Sequence, residues 1–397
     1  MRIRFLLVVA ALACARPSPR ADLILHGAKL YTLAWPEPAL DGRPAAAAPW
    51  DSAAGWHHDA TAVAVRGGRI VYVGSDSGAL ALRGDSTVVR DLGGAVLLSG
   101  MVDSHTHVAE LGESLDRVDL TTAASEEEAV QRVAERAAKT PKGEWILGWG
   151  WDEGAWANRY PNKRLLSARV PDHPVILRGL HGFASWANER ALTAANITAT
   201  TVAPVGGEIR KGSNGLPDGL FLNRAVTLLD AAVPHPAPPQ RDSQLVRALR
   251  TMAASGFTAV HEAGTPRDVV ASLLRLDSAR ALPIRVYVML DGRDSAFVRE
   301  WITRGPLRRS ASGMLVVRAV KAYYDGALGS RGARLLEDYS DKAGHRGVSG
   351  DSYGFDHHIA AAAMAAGFQL AIHAIGDAGN RAALDFIDSV TTAAPGA

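Results

Sequence analysis

Residues 93–108 read GGAVLLSGMVDSHTHV, and the organisation of the chain turns on them. An apolar run at 95–98 leads through Ser99 and Gly100 into a second short segment that closes on His105 and His107. Residues two apart on a strand face the same side, so the two imidazoles leave a strand end together. Neutral imidazole is a borderline-soft nitrogen donor suited to zinc and similar divalent ions. A His-x-His also arises by chance, and its context has to decide.

Beyond this stretch, strands alternate with helices. SEEEAVQRVAERAAK opens on Ser125 with Glu128 three residues later, the spacing of a capping box, and Val130, Val133, Ala134 and Ala137 make one helical face. Leu245, Ala248, Leu249 and Met252 make another, which stops at Gly256 before FTAVHE. PIRVYVML from Pro283, GMLVVRAVKAYYD from Gly313 and FQLAIHAIGD from Phe368 follow. Helix, glycine, then a β-branched strand is the punctuation of β/α units, and the fold it predicts is a parallel α/β structure, a β/α barrel. Reactive groups of such barrels sit where strands end at their C-terminal edge. His105, His107, Lys321 and His373 all fall there.

Upstream, ADLILHGAKLYTL and ATAVAVRGGRIVYVGSD alternate apolar and polar residues around glycine turns, the pattern of half-buried antiparallel strands. Residues 21–95 therefore read as a small β domain of sandwich type, interrupted by the loop PEPALDGRPAAAAPWDSAAG. Residues 96–397 read as barrel, with an inserted region at about 112–235.

The first twenty residues, MRIRFLLVVAALACARPSPR, have two arginines, a short apolar stretch and small residues around Cys14, which is the layout of a secretory leader. ALAC resembles the lipobox of bacterial lipoproteins, with alanine where leucine is commoner. The expected location is export, to the periplasm or to a membrane through a lipid on Cys14. Cys14 is the only cysteine of 397 residues, which excludes intramolecular disulfides and cysteine-rich metal sites. The net charge is +2 with no run of like charge, against a nucleic-acid partner. A hydrophobic content of 47% suffices for a large core.

Taken together, GGAVLLSGMVDSHTHV, VKAYYDGALGSRGA and AIHAIGDAGNRAALDFID resemble the amidohydrolase superfamily in its YtcJ-like branch, which includes N-substituted formamide deformylases. GWGWDEGAW, HPVILRGLHGFASWANERAL and GLPDGLF look like pieces of that branch. The resemblance implies a (β/α)8 metal-dependent hydrolase barrel holding one or two divalent ions, zinc foremost. It implies His105 and His107 as ligands of the more buried ion, Lys321 as a carboxylated lysine bridging two ions, and His373 as a ligand of the second. The substrate class it implies is a small molecule with an amide, N-formyl or cyclic ureide bond.

The sequence departs from that pattern. Ser99 stands where proline is usual, and Phe183 where many members place a histidine, with His181 two residues earlier. Members continue to a further histidine strand and a final aspartate that acts as general base, whereas about five barrel strands are counted here against the eight of a closed barrel. The expectation is a C-terminally truncated chain with its base beyond Ala397, without turnover in isolation. Asp325 and Asp152 are the nearest acids, with Asp325 the weak candidate for a substitute base. The alternative reading is a non-catalytic fragment or a metal-binding lipoprotein. His261, His357 and His358 carry no comparable context, and the last two are expected to be solvated. The Trp- and Gly-rich segments 148–158 and 180–188 are expected to line the substrate pocket and to accept apolar groups.

Overall fold

The computed structural model describes residues 20–393, apart from 153, 155, 157–159, 181, 183, 205–206, 224, 327 and 329–330. Cys14 with the leader, His181 and Phe183 therefore lie outside the described residues. The chain divides into two compact units, Met1–Met101 and Val102–Ala397.

In the first unit a four-stranded sheet runs in the order Arg69–Gly74, Ala62–Arg66, Leu23–His26, Val88–Asp91. Arg66 and Arg69 are joined by Gly67 and Gly68, both at positive φ (56° and 72°), as a two-residue turn matched to strand twist requires. The sheet is mixed, where alternation alone had suggested antiparallel strands. Leu23–His26 is antiparallel to Ala62–Arg66 but parallel to Val88–Asp91, because the chain crosses over through the helix Asp76–Leu80 before it returns. A second layer pairs Lys29–Tyr31 with Val96–Leu98, and its Leu30 and Leu97 pack against Val63 and Val65 of the first.

The second unit is built on a five-stranded sheet: β1 (Met101–Thr106), β2 (Phe257–Thr265), β3 (Arg285–Asp291), β4 (Leu315–Tyr323) and β5 (Gln369–His373), in the order β5-β4-β3-β2-β1. The pairs β2–β3, β3–β4 and β4–β5 are parallel. Helices α1 (Val108–Ser114), α2 (Pro238–Ala254), α3 (Arg267–Ser278), α4 (Ser295–Arg304), α5 (His357–Ala365) and α6 (Asp377–Ala393) alternate with the strands. This is the β/α architecture the glycine punctuation predicted, present as five strands of a barrel type that has eight. Gly256, at φ 94°, stands just past the end of α2 and turns the chain into β2, a conformation costly for any other residue.

The strands are apolar on both faces. Val260, Val286, Val288, Leu290, Val317 and Val320 pack outward against Leu249 of α2, Leu273 of α3 and Trp301 of α4, while Ala263, Met289 and Ala319 form a smaller cluster of their own. Leu249 is fully buried in the larger core. Leu249→Ala is expected to cost about 2–5 kcal/mol through lost burial and the cavity left behind. Denaturant unfolding checks this, and a loss under about 1 kcal/mol would show a core that collapses freely at this point.

Between α1 and α2 the chain forms a separate six-stranded sheet in the order Val118–Asp119, Ile146–Trp151, Val175–Gly179, Ala184–Ala187, Pro217–Asn223, Gly207–Lys211. Its helix Glu126–Ala137 starts as the capping box predicts. Ser125 accepts the Glu128 N–H, and the Glu128 carboxylate reaches back to the N–H of Ala124. Here the sequence reading of the Trp-rich segments is corrected. Trp151, Trp156 and Trp186 are core residues of this sheet, at 0%, 5% and 0% exposure. Their indole N–H groups donate to the carbonyls of Leu177, Ala123 and Asn162. Of the tryptophans in these segments only Trp149 is exposed.

Candidate functional site

β1 delivers His105 within the strand and His107 just past it, at the residue that starts α1. Their ring centroids are 5.5 Å apart. Both are exposed at this sheet edge, and the His105 N–H donates to Asp103 Oδ1 at 3.1 Å. The His107 side chain makes no capping bond to the helix it precedes. That task falls to a residue the sequence reading passed over. Glu262 of β2, 3% exposed, accepts the backbone N–H groups of Val108 and Ala109, so a buried carboxylate seizes the first turn of α1 directly after His107. A carboxylate there also meets the positive end of the helix dipole. The available signal was an acid inside the apolar strand FTAVHEAGT.

Burial pushes the Glu262 carboxyl up to about 7, against the backbone donors that lower it. An unfolded glutamate titrates near its ordinary value of 4.5. The folded state therefore holds a proton that the unfolded state has released between those two values, and stability falls as pH rises through that window. The expected loss is on the order of 3 kcal/mol. Glu262→Gln should flatten this slope in urea titrations run from pH 4.5 to 7, and an unchanged slope would assign the dependence to other groups.

Lys321 lies near the end of β4, 5% exposed, in register with Asp291 of β3 and Ala371 of β5. Burial alone lowers its amine from the ordinary lysine value. Asp291 does not pair with it but is held by Arg293 through two bonds of 2.9 Å. The Lys321 Nζ stands 5.6 Å from the centre of the Tyr323 ring. On β2, Gly264 sits at φ 73° where the register with β3 slips. A Cβ there would lie 3.2 Å from the Tyr323 hydroxyl and 3.9 Å from Lys321 Cγ, so the glycine leaves room for both side chains.

His373 is the last residue of β5, with its ring centroid 5.7 Å from that of Tyr323. Its Nε2 is buried and has no hydrogen-bond partner; the nearest acid oxygen, Asp325 Oδ1, is 3.7 Å away. Asp325 itself is fully buried. Its Oδ2 accepts the N–H groups of Arg334 (2.9 Å) and Gly376 (2.7 Å), and its Oδ1 that of Ile375 (2.9 Å). This carboxylate ties the turn after β4 to the turn after β5 through three backbone donors. Asp152 accepts the N–H of Gly154 in its own turn.

The strand ends share an electrostatic neighbourhood. The His105 pKa is lowered first by burial, then by the charges of Lys321 and His107, with His373 adding a smaller effect in the same direction and Asp103 opposing. Among the described residues, however, no three His, Cys, Asp or Glu side chains approach closely enough to hold a metal by themselves. Any such ion needs Lys321 or a further group. The other histidines lie apart in role: His261 packs on the Tyr287 ring at 4.7 Å, and His357 and His358 are exposed at the start of α5.

Residues 88–396 match the family model described as Amidohydrolase family. The chain belongs to the amidohydrolase family. Within it, the chain falls in the YtcJ-like branch. It is 33% identical over 293 residues to putative amidohydrolase YtcJ of Bacillus subtilis, covering 72% of this chain and 54% of that protein. It is 27% identical over 342 residues to N-substituted formamide deformylase of Arthrobacter pascens, 83% of this chain and 62% of that one. Protein LONG AFTER FAR-RED 3 of Arabidopsis thaliana is 30% identical over 348 residues, 84% of this chain and 59% of that protein. The chain thus spans little more than half the length of these relatives. In fold it matches the crystal structure of an uncharacterized metal-dependent hydrolase from Pyrococcus horikoshii, with a TM-score of 0.71 at 23% identity, over 92% of this chain and 68% of that one. The amidohydrolase fold of the second unit is thereby placed beside solved structures.

Proposed function

We propose that this amidohydrolase is a metal-dependent hydrolase of non-peptide C–N bonds in small molecules, of amide, N-formyl or cyclic ureide type. The observation that carries the reading is the placement of His105, His107, Lys321 and His373 at or just past the C-terminal ends of β1, β4 and β5 in a chain of this family.

The residues present suit a divalent ion, zinc foremost. His373 Nε2 is a buried nitrogen without a partner, which is costly unless something coordinates or hydrogen-bonds it. Lys321 is buried, with a lowered pKa. An uncharged amine is what addition of carbon dioxide requires: the nitrogen lone pair forms the N–C bond, a proton leaves, and the carbamate offers oxygen ligands. His105 and His107 would hold one ion, the Lys321 carbamate would bridge, and His373 would hold a second. When bound, such an ion polarises a carbonyl and lowers the pKa of a water toward neutrality. Glu262 fixes the backbone on which His107 rides. Tyr323 stands beside Lys321, with its ring centre 5.6 Å from Nζ. Asp325, which accepts three backbone N–H groups, acts as a structural carboxylate in this reading rather than as the general base.

The test is a panel of N-formyl and N-acyl amines and cyclic ureides offered to the purified gene product with and without a chelator. Hydrolysis that chelation abolishes and zinc restores supports the reading. Bound metal with no turnover of any panel member favours a non-catalytic metal-binding protein. Chelator-insensitive hydrolysis contradicts the metal-dependent mechanism.

For address we propose export with lipidation at Cys14. No helix among the described residues is long and apolar enough to cross a membrane. Recovery in the membrane fraction of a bacterial host, with release or an uncleaved leader on Cys14→Ser, is the expected result, and soluble periplasmic wild type would refute lipidation.

A further inference from the structure

The loop after β4, the start of α5 and the flank of α6 line an open pocket of about 390 Å³. Small-molecule sites span roughly 300–1,000 Å³. Tyr324, Arg334, Asp351, His357, Asp385 and Phe386 line it, and no step of the proposed hydrolysis uses them. Tyr324 is 4% exposed, and its buried hydroxyl has no hydrogen-bond partner. Burial first, and then the charges of Asp351 and Asp385, push that hydroxyl up to about 12. It therefore stays protonated, with one donor and its acceptor capacity unmet, at a cost of about 1–3 kcal/mol if nothing fills it. Around it the rings form a wall: Phe355, His357 and Phe386 have centroids 4.5, 5.6 and 6.2 Å from that of Tyr324.

Arg334, Asp351 and Asp385 are exposed at the pocket's rim, free to meet a charged ligand. A solvated surface cluster would account for the charges but not for a buried phenol without a partner.

We propose that this cavity binds a basic α-amino acid such as lysine. One guanidinium and two carboxylates complement a ligand with one carboxylate and two ammonium groups. Arg334 presents a planar fork suited to the α-carboxylate. Asp351 and Asp385 take the ammonium groups, one of which lies against the ring wall as a cation–π contact. The aliphatic stem covers Tyr324 and Phe386, and a polar group of the ligand gives the Tyr324 hydroxyl its partner. The site shares no lining residue with the proposed metal site and does not depend on the hydrolase reading.

Calorimetric titration of the purified protein with L-lysine tests it. Saturable one-site binding with Kd between about 10 μM and 1 mM is expected. Cadaverine, which lacks the carboxylate, and norleucine, which lacks the second ammonium, should each bind at least about tenfold more weakly. Asp351→Asn with Asp385→Asn, and separately Arg334→Gln, should each cost about tenfold or more, and Tyr324→Phe about fivefold, in variants shown to melt as the wild type does. No heat from L-lysine at about 10 mM overturns the proposal. So does cadaverine binding as tightly as lysine, a comparison that needs no variant, or undiminished affinity in the double aspartate variant.

Discussion

Alanine at both His105 and His107 is expected to empty the protein of divalent metal, leaving less than about a tenth of the wild-type content, and to remove the stabilisation that metal confers. Binding to the folded state alone stabilises by RT ln(1 + [L]/Kd), which is about 2.7 kcal/mol at a free concentration one hundred times Kd. The variant in zinc-containing buffer should therefore unfold at the denaturant concentration of the chelated wild type. The control is His357→Ala, at an exposed residue that begins α5, and it should retain metal in full. His105 lies on the exposed edge strand β1, which pairs with β2, and His107 lies just past it, beside the backbone that Glu262 holds. Loss of their rings should disturb the core little, which lets a metal effect be separated from misfolding. Equal metal content in the double variant and the control would remove His105 and His107 from the site.

Asp325→Ala is expected to have the largest effect on stability of any single change in this region. The substitution leaves the N–H groups of Arg334, Ile375 and Gly376 without their acceptor. Each stranded donor costs about 1–3 kcal/mol where water cannot replace the carboxylate, so a loss on the order of 3–9 kcal/mol follows. Asp325→Asn retains one acceptor oxygen and should lose roughly half as much. Denaturant unfolding distinguishes the two roles this aspartate was weighed for. A structural carboxylate gives a graded loss of stability from Asn to Ala. A general base would give variants as stable as the wild type whose only defect is catalytic, and that outcome would reverse the assignment made from its hydrogen bonds.

The parts of the fold visible from sequence are those encoded locally. Gly256 before FTAVHE and the β-branched runs after Gly313 and Phe368 announce helix ends and strands within a few residues, and the structure places β2, β4 and β5 there. His105, Lys321 and His373 could be set at strand ends because the strands themselves could be bounded. What sequence did not reveal depends on contacts between distant segments. Glu262 reads as an acid out of place in an apolar strand until the start of α1, 154 residues earlier in the chain, is laid against it. Asp325 reads as a possible base until donors from two later turns occupy its oxygens. Trp151, Trp156 and Trp186 read as pocket lining, since composition does not say which face a ring takes. Their indole bonds to carbonyls of the inserted sheet decide for core. Likewise, the mixed character of the first unit's sheet follows from the crossover at Asp76–Leu80, to which alternation is blind.

The central claim is that the ends of β1, β4 and β5 together form a metal centre. Its most direct test is anomalous X-ray scattering at the zinc edge from crystals of the protein grown with zinc and bicarbonate. The account predicts one or two strong anomalous peaks bounded by His105, His107, Lys321 and His373, with electron density extending from Lys321 Nζ as a carbamate. Anomalous peaks confined to other parts of the surface, with His373 Nε2 satisfied by a protein group or water and Lys321 unmodified, would contradict it.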